Sequence, residues 1–273
     1  MALLISVTDP RDPRIEVFRD IRERDIVGRR GFIAEGTVVL DVLLSSASFR
    51  PTALLILKNR LNGLADHLDR LPDDVPVYVA EREVIDAIAG FPIHRGVLAH
   101  GEAVAEAPGR PDALLDRLAG EGAVVVALVG LANHDNMGAV FRNAAAFGAG
   151  AVLIDETCCD PFYRKAIRVS VGQVFRVPLL RFGPAEAMMD ALTQTGFRRL
   201  ALSPAGRIAA DRLHRAGPTA LVLGTEGRGL PDRIMTTVET VRIDIAPGVD
   251  SLNVATTSAI VLHRLYRPAS DQR

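Results

Sequence analysis

The sequence predicts an α/β protein with a C-terminal parallel sheet in residues 121–273 and a smaller N-terminal α/β domain in residues 1–105. From residue 123 onward, apolar runs rich in Val, Ile and Leu alternate with stretches at helical spacing, as in repeated βαβ units. Between the two parts lies the Ala-, Pro- and Gly-rich stretch EAVAEAPGRPDA. Residues 106–120 are therefore expected to form a linker and lead-in.

Short helices and strands are expected to alternate in the N-terminal domain. EGTVVLDVLLSSA has apolar residues at helical spacing. TALLILK and VPVYVA have the composition of strands, and the stretches that follow them, LNGLADHLDRL and EREVIDAIAG, that of helices.

The C-terminal domain contains the longer alternation. The expected strands are AVVVALVG, AVLID, VFRVPLL, RRLALS, TALVLG and TVRIDI. The expected helices are NMGAVFRNAAAF, PFYRKAIRVSV, PAEAMMDALTQT and SLNVATTSAIVLHRLYR, the last with Ser251 as a possible N-cap.

Composition and charge are those of an ordinary globular protein, and the formal net charge of −1 does not single out a nucleic-acid-binding protein. The longest apolar run, AVVVALVGLA, is too short to span a bilayer, so no membrane association is expected. The N-terminus lacks the features of a signal peptide, which favours a cytoplasmic location. The adjacent Cys158 and Cys159 lack metal-ligand spacing and are expected to be buried thiols; no metal is expected.

The sequence contains none of the motifs G-x-G-x-x-G after a strand, G-x-x-x-x-G-K-[ST], G-x-S-x-G or H-E-x-x-H. This counts against a dehydrogenase or another α/β enzyme with a nucleotide cofactor, an alternative that an NAD titration would test. Polar residues and glycines concentrate instead in the segments 128–150, 221–231 and 243–259, each at the end of a predicted strand. Carboxyl ends of parallel strands are where open α/β sheets bind ligands, so the three segments predict one site.

Taken in order, the stretches NMGAVFRNAAAFG, LGTEGRGL and IDIAPGVDSLNVA resemble the three motifs of the SpoU (TrmH) family. This family belongs to the SPOUT class of RNA 2′-O-ribose methyltransferases. Its patterns are N-x-G-x-x-x-R-x-A-x-x-F-G, L-G-x-E-G-x-G-L and I-P-M-x-x-x-V-x-S-L-N-V. RRGFIAEGTVVLDVL resembles the start of the family's N-terminal substrate-binding domain, and RVSVGQVFRVP its stretch between the first two motifs. The resemblance covers nearly the whole chain.

The resemblance implies a function, a site and a fold. The implied reaction is methylation of a ribose 2′-hydroxyl in RNA with S-adenosyl-L-methionine as cofactor. The implied catalytic residues are Asn136, Arg142, Glu226, Ser251 and Asn253, and the implied cofactor-binding residues are Gly224, Ile243 and Leu252. The parallel sheet is expected to end in a trefoil knot, and the protein to act as a homodimer. RNA recognition is expected from residues 22–101 and from the surface around residues 164–168.

Two positions depart from the family patterns. The third motif reads Ile243-Asp244-Ile245 where I-P-M is usual, and Asn143 follows Arg142 where Thr or Ser is frequent. Ribosomal RNA is the expected substrate, with transfer RNA as the alternative. A further alternative is an RNA-binding module of the same fold that transfers no methyl group.

Overall fold

The computed structural model describes residues 3–19, 31–90, 92–93, 95–104, 111–225, 227 and 229–267. The strands are β1 Leu4–Val7, β2 Phe32–Glu35, β3 Phe49–Leu57, β4 Val77–Ala80, β5 Val97–Ala103, β6 Val124–Leu128, β7 Ala151–Ile154, β8 Leu179–Arg181, β9 Arg198–Leu202, β10 Ile208–Ala209, β11 Thr219–Leu223 and β12 Glu239–Arg242.

The α-helices are α1 Thr37–Leu44, α2 Ala65–Asp69, α3 Arg82–Ala89, α4 Pro111–Gly120, α5 His134–Ala146, α6 Arg164–Val169, α7 Ala185–Gln194, α8 Asp232–Met235 and α9 Val254–Leu265. Short 3-10 helices span Pro13–Phe18, Lys58–Gly63, Gln173–Phe175 and Ala210–Arg212. These elements form two compact units, each with its own sheet.

The first unit comprises Met1–Glu106 and Phe162–Arg176. Its sheet has the order β1-β4-β3-β5-β2, in which β4 is parallel to β1 and β3, and β5 is antiparallel to β3 and β2. The predicted strands TALLILK and VPVYVA are confirmed as β3 and β4. Strands β1, β2 and β5 were not predicted. Nor was it predicted that residues 162–176, which lie between two C-terminal motifs, group with the first unit.

Two sets of side chains fix the segment 162–176 within the first unit. The rings of Phe162 and Phe175 lie against Phe32 and Phe49, and the centroids of Phe32 and Phe175 are 4.6 Å apart. Arg164 Nη1 donates to Glu35 Oε2 at 2.8 Å, and the two side chains are 13% and 6% exposed. Arg164 thus forms an ion pair with a buried carboxylate. The expectation that it lies on an RNA-binding surface is wrong for this residue.

The second unit comprises Ala107–Pro161 and Val177–Arg273. Its seven-stranded sheet has the order β10-β12-β9-β11-β6-β7-β8, and every neighbouring pair is parallel. The predicted C-terminal parallel sheet is therefore confirmed. Helices α4, α7 and α8 share one apolar cluster on one face of the sheet. Helices α5 and α9 have no residue in that cluster and pack against β7, β11 and each other, so they cover the opposite face.

Several predicted boundaries shift for local reasons. VFRVPLL was expected to be one strand, but β8 begins only at Leu179, because Pro178 has no N–H to donate to a ladder. The helix expected over LNGLADHLDRL is divided into the 3-10 helix Lys58–Gly63 and α2. Within the segment expected to be a linker, residues 111–120 form α4.

Candidate functional site

A pocket of about 470 Å³ lies at the carboxyl ends of β12, β9 and β11, three neighbouring strands of the second unit. Its walls come from the loops that follow these strands and from the start of α9. The lining residues are Leu202, Ser203, Pro204, Leu223, Gly224, Thr225, Gly227, Gly229, Leu230, Val241, Ile243, Ile245, Ser251, Leu252, Asn253, Val254 and Thr257. The position agrees with the edge at which open α/β sheets bind ligands.

The loop after β11 is a tight turn built from glycines. The backbone N–H and C=O groups of Thr225 and Gly229 bond to each other in both directions, at 3.3 and 3.1 Å. A Cβ on Gly224 would lie 2.5 Å from the carbonyl carbon of Gly229, so only glycine fits there without moving backbone. Gly227, with φ of +94°, makes the bend. Glu226 lies outside the described residues.

The loop after β12 forms the opposite wall. Both Ile243 and Ile245 line the pocket, so the residue that replaces the usual methionine is still an apolar wall residue. Asp244, which replaces the usual proline, accepts a hydrogen bond from Arg242 Nε at 2.9 Å. The guanidinium of Arg242 also donates to the carbonyl oxygens of Gly206 and Arg207. The departure therefore adds an ion pair beside the pocket and leaves an apolar lining.

Asn253 joins the pocket to α5 through its side-chain amide. Its Oδ1 accepts from the backbone N–H groups of Ala255 and Thr256, at 2.9 and 3.2 Å, which makes Asn253 the N-cap of α9. The expectation that Ser251 caps this helix is wrong, because residues 251–253 are not helical and Ser251 lies too early. Asn253 Nδ2 donates to Asn136 Oδ1 at 2.9 Å.

The hydrogen bonds already made by the side-chain amides of Asn136 and Asn253 determine which of their atoms remain available to a ligand. Because Asn253 Oδ1 is used by the helix, Asn253 must present Nδ2 to Asn136, and Asn136 must receive it with Oδ1. Asn136 Nδ2 is then left as a donor with no partner among the described residues. Asn136 is 6% exposed and lies in the first turn of α5, whose N-cap is Asn133. Asn136 is therefore a buried residue whose amide donor is oriented by the exposed Asn253 of the pocket wall.

Helices α5 and α9 run parallel, and the start of α9 lies at the pocket. Asn136 contacts the start of α9, and Phe147, just after α5, contacts His263 and Tyr266 at the other end. Between these ends, Asn143 Nδ2 donates to Ala255 O at 2.8 Å and to Ser258 Oγ at 3.0 Å. We call Asn143, Ala255 and Ser258 the helix clamp.

Arg142 precedes the clamp residue on α5 and is exposed. It makes no hydrogen bond or ion pair within the described part of the chain, and it does not line the pocket. The structure thus brings five predicted site residues together in the pocket wall: Gly224, Ile243, Ser251, Leu252 and Asn253. It attaches Asn136 to them through a hydrogen bond, and it gives the guanidinium of Arg142 no partner among the residues described.

The wall that follows β9, formed by Leu202, Ser203 and Pro204, was not predicted from the sequence. Ser-Pro-Ala-Gly after a strand is a turn signal at the same sheet edge as the three motifs, and it could have indicated this wall. A Cβ on Gly206 would overlap the backbone of Val241, so two chain segments pass at direct backbone contact here.

No described residue that lines the pocket has a titratable side chain. The nearby Asp155 is 5% exposed, and its carboxylate accepts from Gly130 N–H and from the N–H and hydroxyl of Thr157. Burial raises the thiol pKa of Cys158 to about 12 and that of Cys159 to about 11, so neither supplies a nucleophile near neutral pH. The described pocket wall can orient a reaction but cannot itself accept a proton.

Metal-binding clusters and membrane-spanning helices are both absent from the described residues. These residues contain no cluster of three or more His, Cys, Asp or Glu side chains able to hold a metal ion. None of their helices is long and apolar enough to cross a membrane.

Comparison with known proteins gives matches over most of the chain. The SpoU rRNA Methylase family matches residues 123–263. A protein of Mycobacterium tuberculosis named an uncharacterized tRNA/rRNA methyltransferase is 37% identical over 276 residues, which cover 96% of this chain and 91% of that protein.

Two solved structures resemble the chain in fold. One is an AdoMet-bound rRNA methyltransferase from Sinorhizobium meliloti, with a TM-score of 0.78 and 24% identity over 96% of this chain and 97% of that one. The other is described as an RNA 2′-O ribose methyltransferase, with a TM-score of 0.75 and 24% identity over 95% and 97%. With the family match over more than half the sequence and the mycobacterial relative over nearly all of it, this chain belongs to the SpoU rRNA methylase family.

Proposed function

We propose that this protein transfers a methyl group from S-adenosyl-L-methionine to a ribose 2′-hydroxyl of RNA, and that ribosomal RNA is its substrate. The observation that carries the proposal is the oriented amide pair Asn136–Asn253 at the rim of a glycine-built pocket. The names of the structural relatives, one with bound AdoMet and one a 2′-O ribose methyltransferase, support the cofactor and the reaction.

The pocket suits a cofactor of this size and chemistry. Its volume of about 470 Å³ falls in the range of roughly 300–1,000 Å³ that small-molecule sites occupy. Gly224 lets the loop after β11 fold closely against the backbone of Gly229 at the pocket wall, while Ile243, Ile245 and Leu252 offer apolar walls. When bound, S-adenosyl-L-methionine supplies a sulfonium-activated methyl group. We therefore assign Gly224, Ile243 and Leu252 to cofactor binding.

Asn136 acts as a hydrogen-bond donor to an oxygen atom of the substrate. Its carbonyl oxygen accepts from Asn253, so its NH₂ group is free to donate to an oxygen atom of the ribose or phosphate. An amide cannot act as a base and take the proton. Asn136→Asp keeps the acceptor for Asn253 and replaces the donor with a carboxylate. We expect this variant to fold and bind cofactor as the wild type does while losing methyl transfer.

Arg142 holds a phosphate of the RNA beside the reacting ribose. A guanidinium, with a pKa above about 12, is a poor base, whereas its planar donors fit phosphate oxygens. Its exposure and lack of a partner within the described residues leave those donors available. Ser251 orients the ribose or Arg142 from the pocket wall.

Glu226 is the carboxylate that accepts the proton of the 2′-hydroxyl. Its alternative role is to hold the loops around the pocket by hydrogen bonds. The described lining residues offer no other group that could accept the proton, which favours the first role. Glu226→Gln separates the two, because glutamine can still hold a loop by hydrogen bonds but cannot act as a base.

The family resemblance also leads us to propose a trefoil knot at the end of the parallel sheet and a homodimer that works in the cytoplasm. The support for both is the resemblance of the three motif segments to the family, together with the match to the SpoU rRNA Methylase family over residues 123–263.

The decisive experiment is transfer of tritiated methyl from S-adenosyl-L-methionine to unmodified ribosomal and transfer RNA transcripts. Alkaline hydrolysis locates the product, because a 2′-O-methyl group blocks cleavage of the adjacent phosphodiester. We expect label in a resistant dinucleotide of ribosomal RNA and loss of it in Arg142→Ala. Arg117→Ala, an exposed arginine on α4, is the matched control and should keep activity.

Each alternative has a distinct outcome. Label in transfer RNA alone would assign the enzyme to that substrate. Cofactor binding and RNA binding without transfer would contradict the proposal and favour the inactive RNA-binding module. Binding of NAD in place of S-adenosyl-L-methionine would favour the dehydrogenase alternative.

A further inference from the structure

A buried carboxylate lies at the sheet edge that carries the pocket, and the reaction proposed above leaves it without a role. Asp155 directly follows β7 and is 5% exposed. Its Oδ1 accepts from the backbone N–H of Gly130 at 3.0 Å and from that of Thr157 at 3.2 Å. The hydroxyl of Thr157 donates to the same carboxylate, 3.0 Å from Oδ1 and 2.9 Å from Oδ2. A carboxylate with so little exposure needs such donors, because burial of an unpaired charge is costly.

Only part of this arrangement is local. Aspartate commonly accepts from the backbone two residues further along the chain, and such a turn accounts for the bonds from Thr157. It does not account for the bond from Gly130, which belongs to the loop after β6. We call residues 129–133, which join β6 to α5, the α5 entry loop. Asp155 therefore connects the chain after β7 to the α5 entry loop.

Two further bonds fasten the α5 entry loop to the chain after β7, and both have neutral acceptors. The N–H of Leu131 donates to Cys158 Sγ at 3.3 Å, and the N–H of Cys159 donates to the carbonyl oxygen of Leu131 at 2.9 Å. The thiol of Cys158 is neutral near pH 7, because burial raises its pKa to about 12. Hydrogen bonds to a carboxylate are roughly twice as strong as those between neutral groups, so Asp155 provides the strongest of these attachments.

The α5 entry loop leads from Asp155 to the donor beside the pocket. At its end, Asn133 caps α5 and accepts from the N–H of Asn136 at 3.3 Å. Near its start, Gly130 lies so close to Thr225 of the pocket wall that a Cβ would be 2.8 Å from Thr225 Cγ2. Because the loop is short and runs directly into a helix, a displacement of Gly130 shifts the first turn of α5 and the side chain of Asn136 with it.

We propose that Asp155 is a positioning residue for methyl transfer, which holds the α5 entry loop so that Asn136 meets the substrate oxygen at a fixed distance. The inference rests on the proposed function, in which Asn136 donates to the ribose or phosphate. Asp155 does not line the pocket, so it acts through Gly130 and the loop and not on the substrate. The role requires an acceptor of the correct length, because the bond from Gly130 spans two loops at a set separation.

The test compares three substitutions of Asp155 in the full chain with a control in the same sheet. Asp155→Asn keeps an acceptor of the same length, Asp155→Glu keeps the charge on a longer side chain, and Asp155→Ala removes the acceptor. The control is Thr219→Ala. Thr219 is buried at the amino end of β11, opposite the pocket, and its hydroxyl donates to the carbonyl oxygen of Gly217 at 3.1 Å.

Four quantities are measured for each variant. The kcat and the KM for RNA come from methyl transfer to the ribosomal RNA transcript, and the Kd for S-adenosyl-L-methionine comes from calorimetry. Thermal unfolding gives Tm. Hydrogen exchange followed by mass spectrometry reports how firmly residues 129–137 are held, and it needs no enzymatic activity.

Asp155→Ala should lower kcat by roughly 10- to 100-fold, since a misplacement of about 1 Å costs up to about 100-fold. The Kd for cofactor and the KM for RNA should change far less than kcat, and residues 129–137 should exchange faster. Asp155→Asn should keep most of kcat, because Oδ1 can accept from Gly130 while Nδ2 donates to the Thr157 hydroxyl. Asp155→Glu should lose kcat, because its extra methylene displaces the loop. Thr219→Ala should lower Tm and keep kcat.

Two results would overturn the inference while the proposed function stands. One is a kcat of Asp155→Ala as high as that of Thr219→Ala, which would reduce Asp155 to a structural role. The other is a higher kcat in Asp155→Glu than in Asp155→Asn, which would show that charge matters and position does not. If Asp155→Ala does not fold, the order of the other two variants decides. If the wild type methylates neither ribosomal nor transfer RNA, the proposed function fails, and the inference fails with it.

Discussion

Replacement of Asn143 by alanine should loosen the attachment of α5 to α9 and reduce methyl transfer without weakening cofactor binding. The change removes two hydrogen bonds, to Ala255 O at 2.8 Å and to Ser258 Oγ at 3.0 Å. Each hydrogen bond contributes about 0.5–1.5 kcal/mol to stability. Ala255 O still accepts from Ser258 Oγ at 2.7 Å, so no buried acceptor is left without a donor.

The expected loss of unfolding free energy is therefore about 1–3 kcal/mol. For a chain of this size that corresponds to a decrease in Tm of about 4 °C. The catalytic effect follows from position, because Arg142 is carried on α5 while Asn253 belongs to the start of α9. We expect a lower kcat, because Arg142, which is proposed to bind phosphate, would no longer be held at a fixed position relative to the pocket.

The assay is urea unfolding followed by circular dichroism, combined with a double-mutant cycle. Asn143→Ala, Ser258→Ala and the double variant should show a coupling energy above about 0.5 kcal/mol, because the residues share one hydrogen-bond network. Calorimetry should find the Kd for S-adenosyl-L-methionine unchanged. The role of the helix clamp would be refuted if the losses of unfolding free energy in the two single variants were additive, or if kcat stayed at the wild-type value.

Three other substitutions and treatments test the remaining parts of the site and fold. Gly224→Ala should abolish cofactor binding in calorimetry, because its Cβ would lie 2.5 Å from backbone atoms, whereas Gly120→Ala, with open space, should be neutral; equal affinities would contradict the close approach. Cys158, whose thiol pKa is raised to about 12 by burial, should react with iodoacetamide at pH 8 far more slowly in the folded protein than in urea, and equal rates would contradict its burial. Hydrogen bonding to Arg198 lowers the pKa of Glu239, so this pair stabilises the fold above the ordinary value of 4.5 and ceases to do so as the pH falls below it. Glu239→Gln should accordingly flatten the acid limb of the stability profile measured by thermal unfolding, and an unchanged limb would show that the pair contributes nothing.

The sequence predicted correctly those parts of the site that depend on local features, namely a strand and the loop that follows it. The segments 221–231 and 243–259 contain the loops after β11 and β12, and parallel strands end at one edge, so their glycines and amides had to converge. The N-cap of α9 was placed two residues early because Ser and Asn are equally good caps, and only the backbone geometry decides between Ser251 and Asn253.

Long-range contacts explain what could not be predicted. Nothing in the sequence around residues 162–176 shows that its aromatic rings join the first unit, since that depends on the partners Phe32 and Phe49 more than a hundred residues earlier. Asn143 is one of the two positions at which the sequence departs from the family patterns. Its bonds to α9 become visible only once the parallel pairing of the two helices is known.

The start of α9 shows why asparagine, and not another capping residue, suits position 253. Serine, threonine and aspartate also cap helices, but aspartate has no donor, and the hydroxyl of serine or threonine carries its donor and its acceptor sites on one oxygen. The amide has them on separate atoms, so Oδ1 accepts from the helix N–H groups while Nδ2 donates to Asn136. An aspartate would in addition place a negative charge at the positive end of the helix dipole. The first turn of α9 contains no acidic residue, so with a neutral cap the positive potential at the pocket rim is preserved. Under the proposed function, that potential faces the phosphates of an RNA strand, and the residue that caps the helix also orients the donor beside the reacting ribose.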